Sequence, residues 1–195
     1  MPSLVVFPRG RVLLPKQRLR LRVHDTFITR AIGDASTFAA FFTPAADRLS
    51  RVGVEARILH RFPASHDRVD LEVVGGERLQ GVGEQVGHLR NFDYLEDLDG
   101  PGDLEELRSE VERAWRRYAA AAVESGRGLL LESSIHPDPR IASYQLGTMM
   151  PISHPERQEL LEIPTTSERL DRVLLYLAGE TGLLRHMLGL GRMGA

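Results

Sequence analysis

Seven histidines are the side chains best suited to acid–base catalysis or metal binding here, because the chain contains no cysteine. His24 next to Asp25 could be half of a catalytic pair, and His60 with His66 could bracket a metal ion. No H-E-x-x-H spacing occurs, and the remaining histidines are scattered without a ligand pattern. A core or loop position is therefore the simpler interpretation, and we expect neither a catalytic residue nor a metal site.

Nucleotide binding and nucleophilic catalysis also lack their motifs. Lys16 is the single lysine of the chain and follows Pro15, so it belongs to no G-x-x-x-x-G-K-[ST] phosphate loop. It is also the sole candidate base for a serine–lysine dyad, and no G-x-S-x-G nucleophile motif is present. We expect no cofactor and no enzymatic activity.

A row of arginines is the main charge feature of the first half. Residues 9–30 hold seven basic side chains against Asp25 alone, and the basic residues include Arg18, Arg20 and Arg22. Such a row could follow a phosphate backbone, which makes nucleic-acid binding the alternative function. It lacks interleaved aromatic residues for base stacking, and the net charge of the chain is -2. Nucleic acid is therefore the less favoured partner.

The composition is that of an ordinary globular protein, with 42% hydrophobic and 27% charged residues. A length of 195 residues suffices for one or two domains. No apolar run approaches the roughly 20 residues that a membrane span needs. The first residues carry no charged leader and no cleavage signal, so we expect a cytoplasmic protein without a membrane partner.

Short strands account for the alternating patterns of the first half. Apolar residues alternate with charged ones over Arg18–Val23, over residues 54–58 and over residues 69–73. This alternation is typical of strands with one buried face. Residues 63–67 have a length suited to a hairpin loop between the last two strands.

Further elements of the first half follow from turn residues and apolar runs. Gly75-Gly76 predicts a break before a short strand at residues 77–80, and residues 84–95 are expected to add one more. A short helix over Thr26–Ile32 should precede a strand over Thr37–Phe42. Many short strands with frequent turns are typical of a small barrel or a coiled sheet.

The pattern becomes helical near residue 98. After a break at residues 99–102, apolar residues recur every three or four positions, at Leu104, Leu107, Val111, Trp115, Tyr118 and Ala122. Gly126 and Gly128 should end this helix. The expected N-cap residues of four helices are Asp103, Asp138, Ser153 and Thr165. The sequence therefore predicts an α+β protein with a β-rich domain over residues 1–97 and a helical domain over residues 98–195.

Three blocks of residues follow one another in an order that is itself informative. The first consists of residues 4–8, 12–15, the strand ending at Val23 and the step Asp25-Thr26-Phe27. The second consists of residues 53–58, 67–69 and 71–79, and the third of residues 138–142, 150–151, 157–162 and 168–170. Together these blocks resemble the N-terminal domain of the Lon protease family over nearly the whole chain. Lys16, Asp25 and Phe27 stand where that family usually has glycine, glutamate and tyrosine.

This resemblance implies a PUA-like β-barrel followed by an α-helical bundle. It also implies that the module recognises unfolded or exposed polypeptide segments, or a partner protein. In the full protease the ATPase and serine–lysine protease domains come afterwards, and this chain has no counterpart of their catalytic residues. We therefore expect a freestanding, non-catalytic bacterial module that acts as an adaptor in proteolysis or protein quality control.

Aromatic side chains of the barrel are the candidate contacts for such a polypeptide, namely Phe7, Phe41, Phe62 and Phe92. Core packing is the more economical interpretation of each, because a small domain needs its aromatic residues inside. The candidate contacts for the alternative partner, nucleic acid, are Arg18, Arg20 and Arg22. A homo-oligomer stays open, with self-association through the apolar stripe of Leu170, Val173, Leu174 and Leu177.

Overall fold

The chain forms two compact units in the computed structural model, which describes residues 1–45, 48–65, 68–126 and 134–193. The first unit comprises Met1–Glu96 and Ser153–Glu162, and the second comprises Asp97–Ile152 and Ile163–Ala195. The elements in chain order are β1 (Ser3–Arg9), β2 (Arg18–Val23), α1 (Thr26–Ile32), β3 (Thr37–Phe42), β4 (Val52–Ser65), β5 (Arg68–Val86), β6 (Leu89–Leu95), α2 (Leu104–Glu124), α3 (Pro139–Met149), α4 (His154–Glu162) and α5 (Thr166–Met193).

The strands of the first unit pair in a ring, with β2 outside it. β1 pairs in parallel with β3 and antiparallel with β6, and β4 joins β3 to β5. The first half of β5 pairs with β2 and β4 while its second half pairs with β6, which closes the ring. Among the described strands β2 pairs with β5 alone, so it is an edge strand. The mixed α+β architecture is confirmed.

The glycine pair Gly75-Gly76 does not end a strand, contrary to the prediction. β5 runs through it without interruption, and β4 is likewise longer than predicted, so that residues 63–65 of the expected hairpin loop belong to the strand. Residues 66–67 of that loop lie outside the described residues. The backbone N–H of Lys16 donates to the carbonyl of Gly75 at 2.8 Å, and a Cβ at Gly75 would overlap the carbonyl oxygen of Leu14. The pair therefore marks a close approach of two backbone segments within a continuous strand.

The turn before β2 holds Lys16 in a left-handed conformation. The backbone N–H of Gln17 donates to the carbonyl of Leu14 at 3.1 Å and closes a four-residue turn centred on Pro15 and Lys16. The φ angle of Lys16 is 63°, the one positive value among the described non-glycine residues. Proline followed by a residue with positive φ is typical of a type II turn, in which glycine is favoured at the second of these positions. The lysine therefore carries a backbone strain of about 1 kcal/mol that glycine would not carry.

Alternate residues of the strands fill the interior of the first unit. Leu4, Val6 and Phe41 form a buried cluster with Ala39, Leu79 and Phe92, and Leu49 packs against it. The rings of Phe41 and Phe92 are stacked with their centroids 5.4 Å apart. Burial of these side chains is the main force that holds the sheet together, because apolar burial contributes about 25 cal/mol for each Å² removed from water.

Helix α4 belongs to the β-rich unit, although its place in the sequence assigned it to the helical half. The side-chain amide of Gln158 donates to the carbonyl of Val52 at 2.9 Å. The buried guanidinium of Arg78, on β5, donates to the carbonyl of Leu161 at 3.2 Å and to that of Glu96 at 2.7 Å. These bonds join residues that are far apart in the sequence, which is why the local pattern predicted the helix but not its packing partner.

The predicted N-cap residues begin their helices as expected. The carboxylate of Asp103 accepts from the backbone N–H groups of Glu105 and Glu106, and that of Asp138 accepts from Arg140. Ser153 forms the predicted capping box with Glu156, and the hydroxyl of Thr165 accepts from the backbone N–H of Glu168 and donates to its carboxylate. Helix α2 ends at Glu124, where Ser125 is the C-cap, and Gly126 follows with a positive φ of 71°. Gly128, the other glycine expected at this end, lies outside the described residues.

The second unit is organised around Arg169, whose side chain is fully buried. Its guanidinium lies 3.1 Å from the carboxylate of Asp97 and donates to the carbonyl of Ile163 at 2.9 Å and the hydroxyl of Ser143 at 3.1 Å. It also lies 4.4 Å from the ring centroid of Tyr144. One side chain therefore joins α5 to α3 and to the segments that precede α2 and α5.

Gly75→Ala is expected to lower the free energy of unfolding by about 2 kcal/mol, because the new methyl group must displace backbone at Leu14. Gly10→Ala is the matched control, since a Cβ at Gly10 has no neighbour within 4 Å among the described residues. The control should change stability by less than about 0.5 kcal/mol in urea unfolding. Equal stability of the two variants would contradict the role given to Gly75.

Arg169→Met is expected to lower the free energy of unfolding by about 3 kcal/mol, because it leaves Asp97 and buried backbone without their cation. Arg116→Met is the control, since Arg116 on α2 is exposed and pairs with Glu112 only at the surface. The control should lose less than about 1 kcal/mol. A loss in Arg169→Met no larger than in the control would show that the buried guanidinium is dispensable.

Candidate functional site

Three neighbouring strands of the first unit present their polar side chains on one face. The pairing register places Glu72 of β5 opposite Arg20 of β2 and His60 of β4, and it places Asp70 opposite Arg22 and Phe62. Leu21 and Val23, which alternate with the arginines, are buried on the other face. We call this surface the arginine face and define it by Arg18, Arg20, Arg22, His60, Phe62, Asp70 and Glu72.

An aromatic ring with an arginine above it lies at the centre of the arginine face. The guanidinium carbon of Arg20 is 4.6 Å from the ring centroid of Phe62, a cation–π distance. Phe62 keeps 39% of its surface exposed, and the ring of His60 lies 6.2 Å away. Of the four aromatic residues predicted as contacts, Phe62 is the one whose ring lies among the predicted arginines.

Acidic residues neutralise much of the charge of the arginine face. Asp70 lies 3.5 Å from Arg20 and 3.9 Å from Arg22, and His60 Nδ1 lies 3.0 Å from Glu72. Two carboxylates therefore stand among three arginines. A surface that follows a phosphate backbone needs several uncompensated cations, so this arrangement weakens the case for nucleic acid.

The other predicted contact aromatics occupy different places. Phe41 and Phe92 are buried in the core and cannot contact a ligand at the surface, so for these two the core-packing interpretation is correct. Phe7 is half-buried, packs edge-on against Phe38 at 5.6 Å and has Arg9 at 5.8 Å from its ring. The physical reason is the strand alternation, which directs Phe41 and Phe92 into the ring of strands.

The histidines that could serve chemistry have structural roles or lie apart. Asp25, the partner proposed for His24, is the N-cap of α1 and accepts from the backbone N–H groups of Phe27 and Ile28. His60 is exposed and paired with Glu72, while His66 lies outside the described residues. In the part of the chain that the structure describes, no three histidine, aspartate or glutamate side chains are grouped as metal ligands.

Exposed apolar residues that the sequence did not single out lie at the tip of the β5–β6 hairpin. Val86 is 78% exposed and Leu89, its partner in the register, is 49% exposed. Phe27, at the start of α1, is more exposed than any of the four predicted aromatics. The sequence does contain a turn signal here, because Gly87 lies between the apolar residues Val86 and Leu89. The predicted strand over residues 84–95 included these residues, so the turn was not recognised.

The apolar stripe proposed for self-association is mostly buried inside the second unit. Leu170, Val173 and Leu177 have almost no exposed surface, so they hold α5 in its own unit and are not a free surface. A groove of about 470 Å³ remains between α2 and α5, lined by Glu110, Ala114, Arg117, Leu174, Leu175, Leu177, Ala178, Thr181, Gly182 and Arg185. None of the described helices is both long and apolar enough to cross a membrane.

Comparison with known proteins identifies the fold and the family of this chain. The structure is similar to the crystal structure of a Lon N-terminal domain protein from Xanthomonas campestris, with 21% identity, a TM-score of 0.65 and coverage of 90% of this chain and 98% of that one. It is also similar to the N-terminal domain of the Lon protease of Mycobacterium avium complex, with 17% identity, a TM-score of 0.71 and coverage of 91% and 98%. No curated protein matches the sequence. The family model of the ATP-dependent protease La (Lon) substrate-binding domain matches residues 3–179, and the chain therefore belongs to that family.

Proposed function

We propose that this protein is a non-catalytic module that binds extended polypeptide segments along β2 and the arginine face. Membership of the Lon substrate-binding domain family is the observation that carries the proposal. The ligand is an unfolded or exposed segment of another protein, and the module acts as an adaptor in proteolysis or protein quality control. Binding without turnover is sufficient for this role.

The edge strand β2 supplies the backbone part of the binding surface. Its hydrogen bonds run to β5 on one side, and no other strand of the described chain pairs with its second side. An extended segment could add there as a further strand, and its main chain would then pair regardless of its sequence. Such tolerance suits a module that binds many different polypeptides.

The side chains of the arginine face supply selectivity. Arg18, Arg20 and Arg22 follow one another at every second residue, roughly 6.6 Å apart along an extended strand. Charged side chains on an edge strand hinder unspecific pairing with other strand edges. A bound segment therefore gains most when it places an apolar side chain against the exposed ring of Phe62.

Nucleic-acid binding stays the second candidate, because the same arginines would serve it. Asp70 and Glu72 disfavour it, since both lie among the arginines that would contact the phosphates. The two functions differ in their dependence on salt. Binding to a phosphate backbone weakens steeply with salt concentration, because it releases condensed counterions.

Phe62→Ala is expected to weaken binding of a permanently unfolded, fluorescently labelled polypeptide by about tenfold, the scale of an aromatic contact residue. Fluorescence anisotropy measures this affinity, with a labelled oligonucleotide titrated in parallel at two salt concentrations. Leu89→Ala is the matched control, because Leu89 is an exposed apolar residue of the same unit at the hairpin tip. Wild-type affinity in this control is expected.

Three results would contradict the proposal in different ways. Salt-sensitive oligonucleotide binding without polypeptide binding would make the arginine face a nucleic-acid surface. A loss in Leu89→Ala with none in Phe62→Ala would move the polypeptide to the tip of the β5–β6 hairpin. Turnover of the polypeptide would contradict the non-catalytic role.

A further inference from the structure

The carboxyl ends of β1 and β3 lie side by side in the first unit, because these two strands pair in parallel. Arg9, the last residue of β1, is opposite Phe42, the last residue of β3. The backbone N–H of Thr43 then donates to the carbonyl of Arg9 at 2.8 Å, which extends the pairing by one step.

The first turn of α4 adds positive charge at the same place. The ring centroid of His154, the first residue of α4, lies 6.3 Å from that of Phe42. Arg157 follows three residues later, and the amino end of a helix carries a partial positive charge of its own. Glu156 lies in the same turn, where its carboxylate accepts the Ser153 backbone N–H at 2.6 Å and its negative charge acts on Arg157.

Three polar atoms of this cluster are buried and have no hydrogen-bond partner in the described part of the chain. They are Nη1 of Arg9, Oγ1 of Thr43 and Nδ1 of His154. Buried polar atoms of folded proteins are nearly always paired, and such exceptions frequently belong to functional sites. Nη1 of Arg9 and Oγ1 of Thr43 can donate in the ordinary charge state of the chain. Nδ1 of His154 donates when it carries a proton, in the Nδ1–H tautomer or in the imidazolium.

Burial and the repulsion between neighbouring cations disfavour the positive charges of this cluster, and a bound anion would offset both effects. Burial, together with the charge of Arg11, lowers the pKa of Arg9 to about 10. Burial also lowers the pKa of His154, and the charges of Arg157, Arg11 and Arg9 lower it further. The groups that oppose protonation of His154 therefore come from the end of β1, from the residues after it and from α4.

We propose that Arg9, Arg11, Thr43, His154 and Arg157 form a binding site for an oxyanion, the group carried by phosphates and carboxylates. Arg9 and Thr43 donate hydrogen bonds to its oxygens, and the charges of Arg11 and Arg157 attract it. This site goes beyond the proposed polypeptide binding, since it shares no residue with the arginine face. It would stand if that function were wrong.

An NMR titration of the histidine side chains tests the site with inorganic phosphate, and with acetate as the carboxylate probe at equal ionic strength. Phosphate is expected to shift the His154 imidazole signals saturably in the millimolar range and to raise the pKa of that imidazole. Saturation by both probes would support a site for oxyanions in general, saturation by phosphate alone would assign it to phosphate groups, and saturation by acetate alone would assign it to carboxylates. Absence of saturation with both probes would overturn the proposal.

Variants separate binding at this site from a general salt effect. Arg11→Gln and Arg9→Gln are each expected to weaken phosphate binding at least fivefold. Arg11 is exposed, so its replacement keeps the test valid if the Arg9 variant fails to fold. Arg30→Gln, an exposed arginine of α1, is the control and should bind phosphate as the wild type does. Equal affinities in all variants would show an adventitious ion only.

The same cluster predicts a pH dependence of stability. The pKa of His154 is lower in the folded chain than its ordinary value of 6.5, so the unfolded chain binds the proton more readily. Stability from this residue is present above pH 6.5 and is lost as the pH falls toward the folded-state pKa. Urea midpoints at pH 7.5 and 5.5 should therefore differ less in His154→Gln than in the wild type, and phosphate should reduce the wild-type difference. An unchanged difference in the variant would contradict the charged environment assigned to His154.

Discussion

Hydrogen bonds from buried guanidinium groups to backbone carbonyls hold the chain where it leaves one unit and enters the other. On the side of the first unit, Arg78 binds the carbonyls of Glu96 and Leu161. On the side of the second unit, Arg169 binds the next segments, through the carboxylate of Asp97 and the carbonyl of Ile163. Irregular backbone has carbonyls that no helix or sheet satisfies, and a rigid guanidinium with five donors can satisfy several at once.

This arrangement lets one helix serve a sheet that is far from it in the sequence. α4 follows α3 along the chain, yet its Gln158 side chain donates to Val52 of β4, and its Leu161 backbone carbonyl accepts from the side chain of Arg78. The first residue of α4, His154, therefore lies against Phe42 at the carboxyl end of β3, next to Arg9 and Thr43. The proposed oxyanion site therefore exists because α4 packs in the first unit.

The arginine face shows how the same side chains can serve stability and binding. Arg20 covers the ring of Phe62 and approaches Asp70, so its charge is partly used within the face. Exposed pairs of this kind contribute at most about 1 kcal/mol, and a ligand can replace them at little cost. The neighbouring edge of β2 has the opposite property, because its backbone donors and acceptors are fixed in direction by the pairing with β5.

Local patterns were sufficient for most of the elements. The helix Thr26–Ile32 and the strand Thr37–Phe42 have the predicted bounds, and the N-caps Asp103 and Asp138 were readable because capping involves neighbours within three residues. The family was also recognisable from the order of segments, although Lys16 departs from it. The glycine pair at 75–76 led to a wrong strand boundary. A glycine that ends a strand and a glycine that permits the close approach of another backbone segment look alike in sequence.

The sequence by itself determined the α+β class, most helix and strand positions and the family, because these depend on periodicity, capping and the succession of segments. Tertiary structure alone decided that Phe41 and Phe92 pack in the core of the first unit while Phe62 lies beneath Arg20. The reason is that the partner strands and their register decide which face of a strand is buried. Tertiary structure also decided the unit to which α4 belongs and the meeting of Arg9, Thr43 and His154. Those contacts join residues that are far apart in the sequence, such as Val52 and Gln158, which are 106 positions apart, and no local pattern encodes such a pairing.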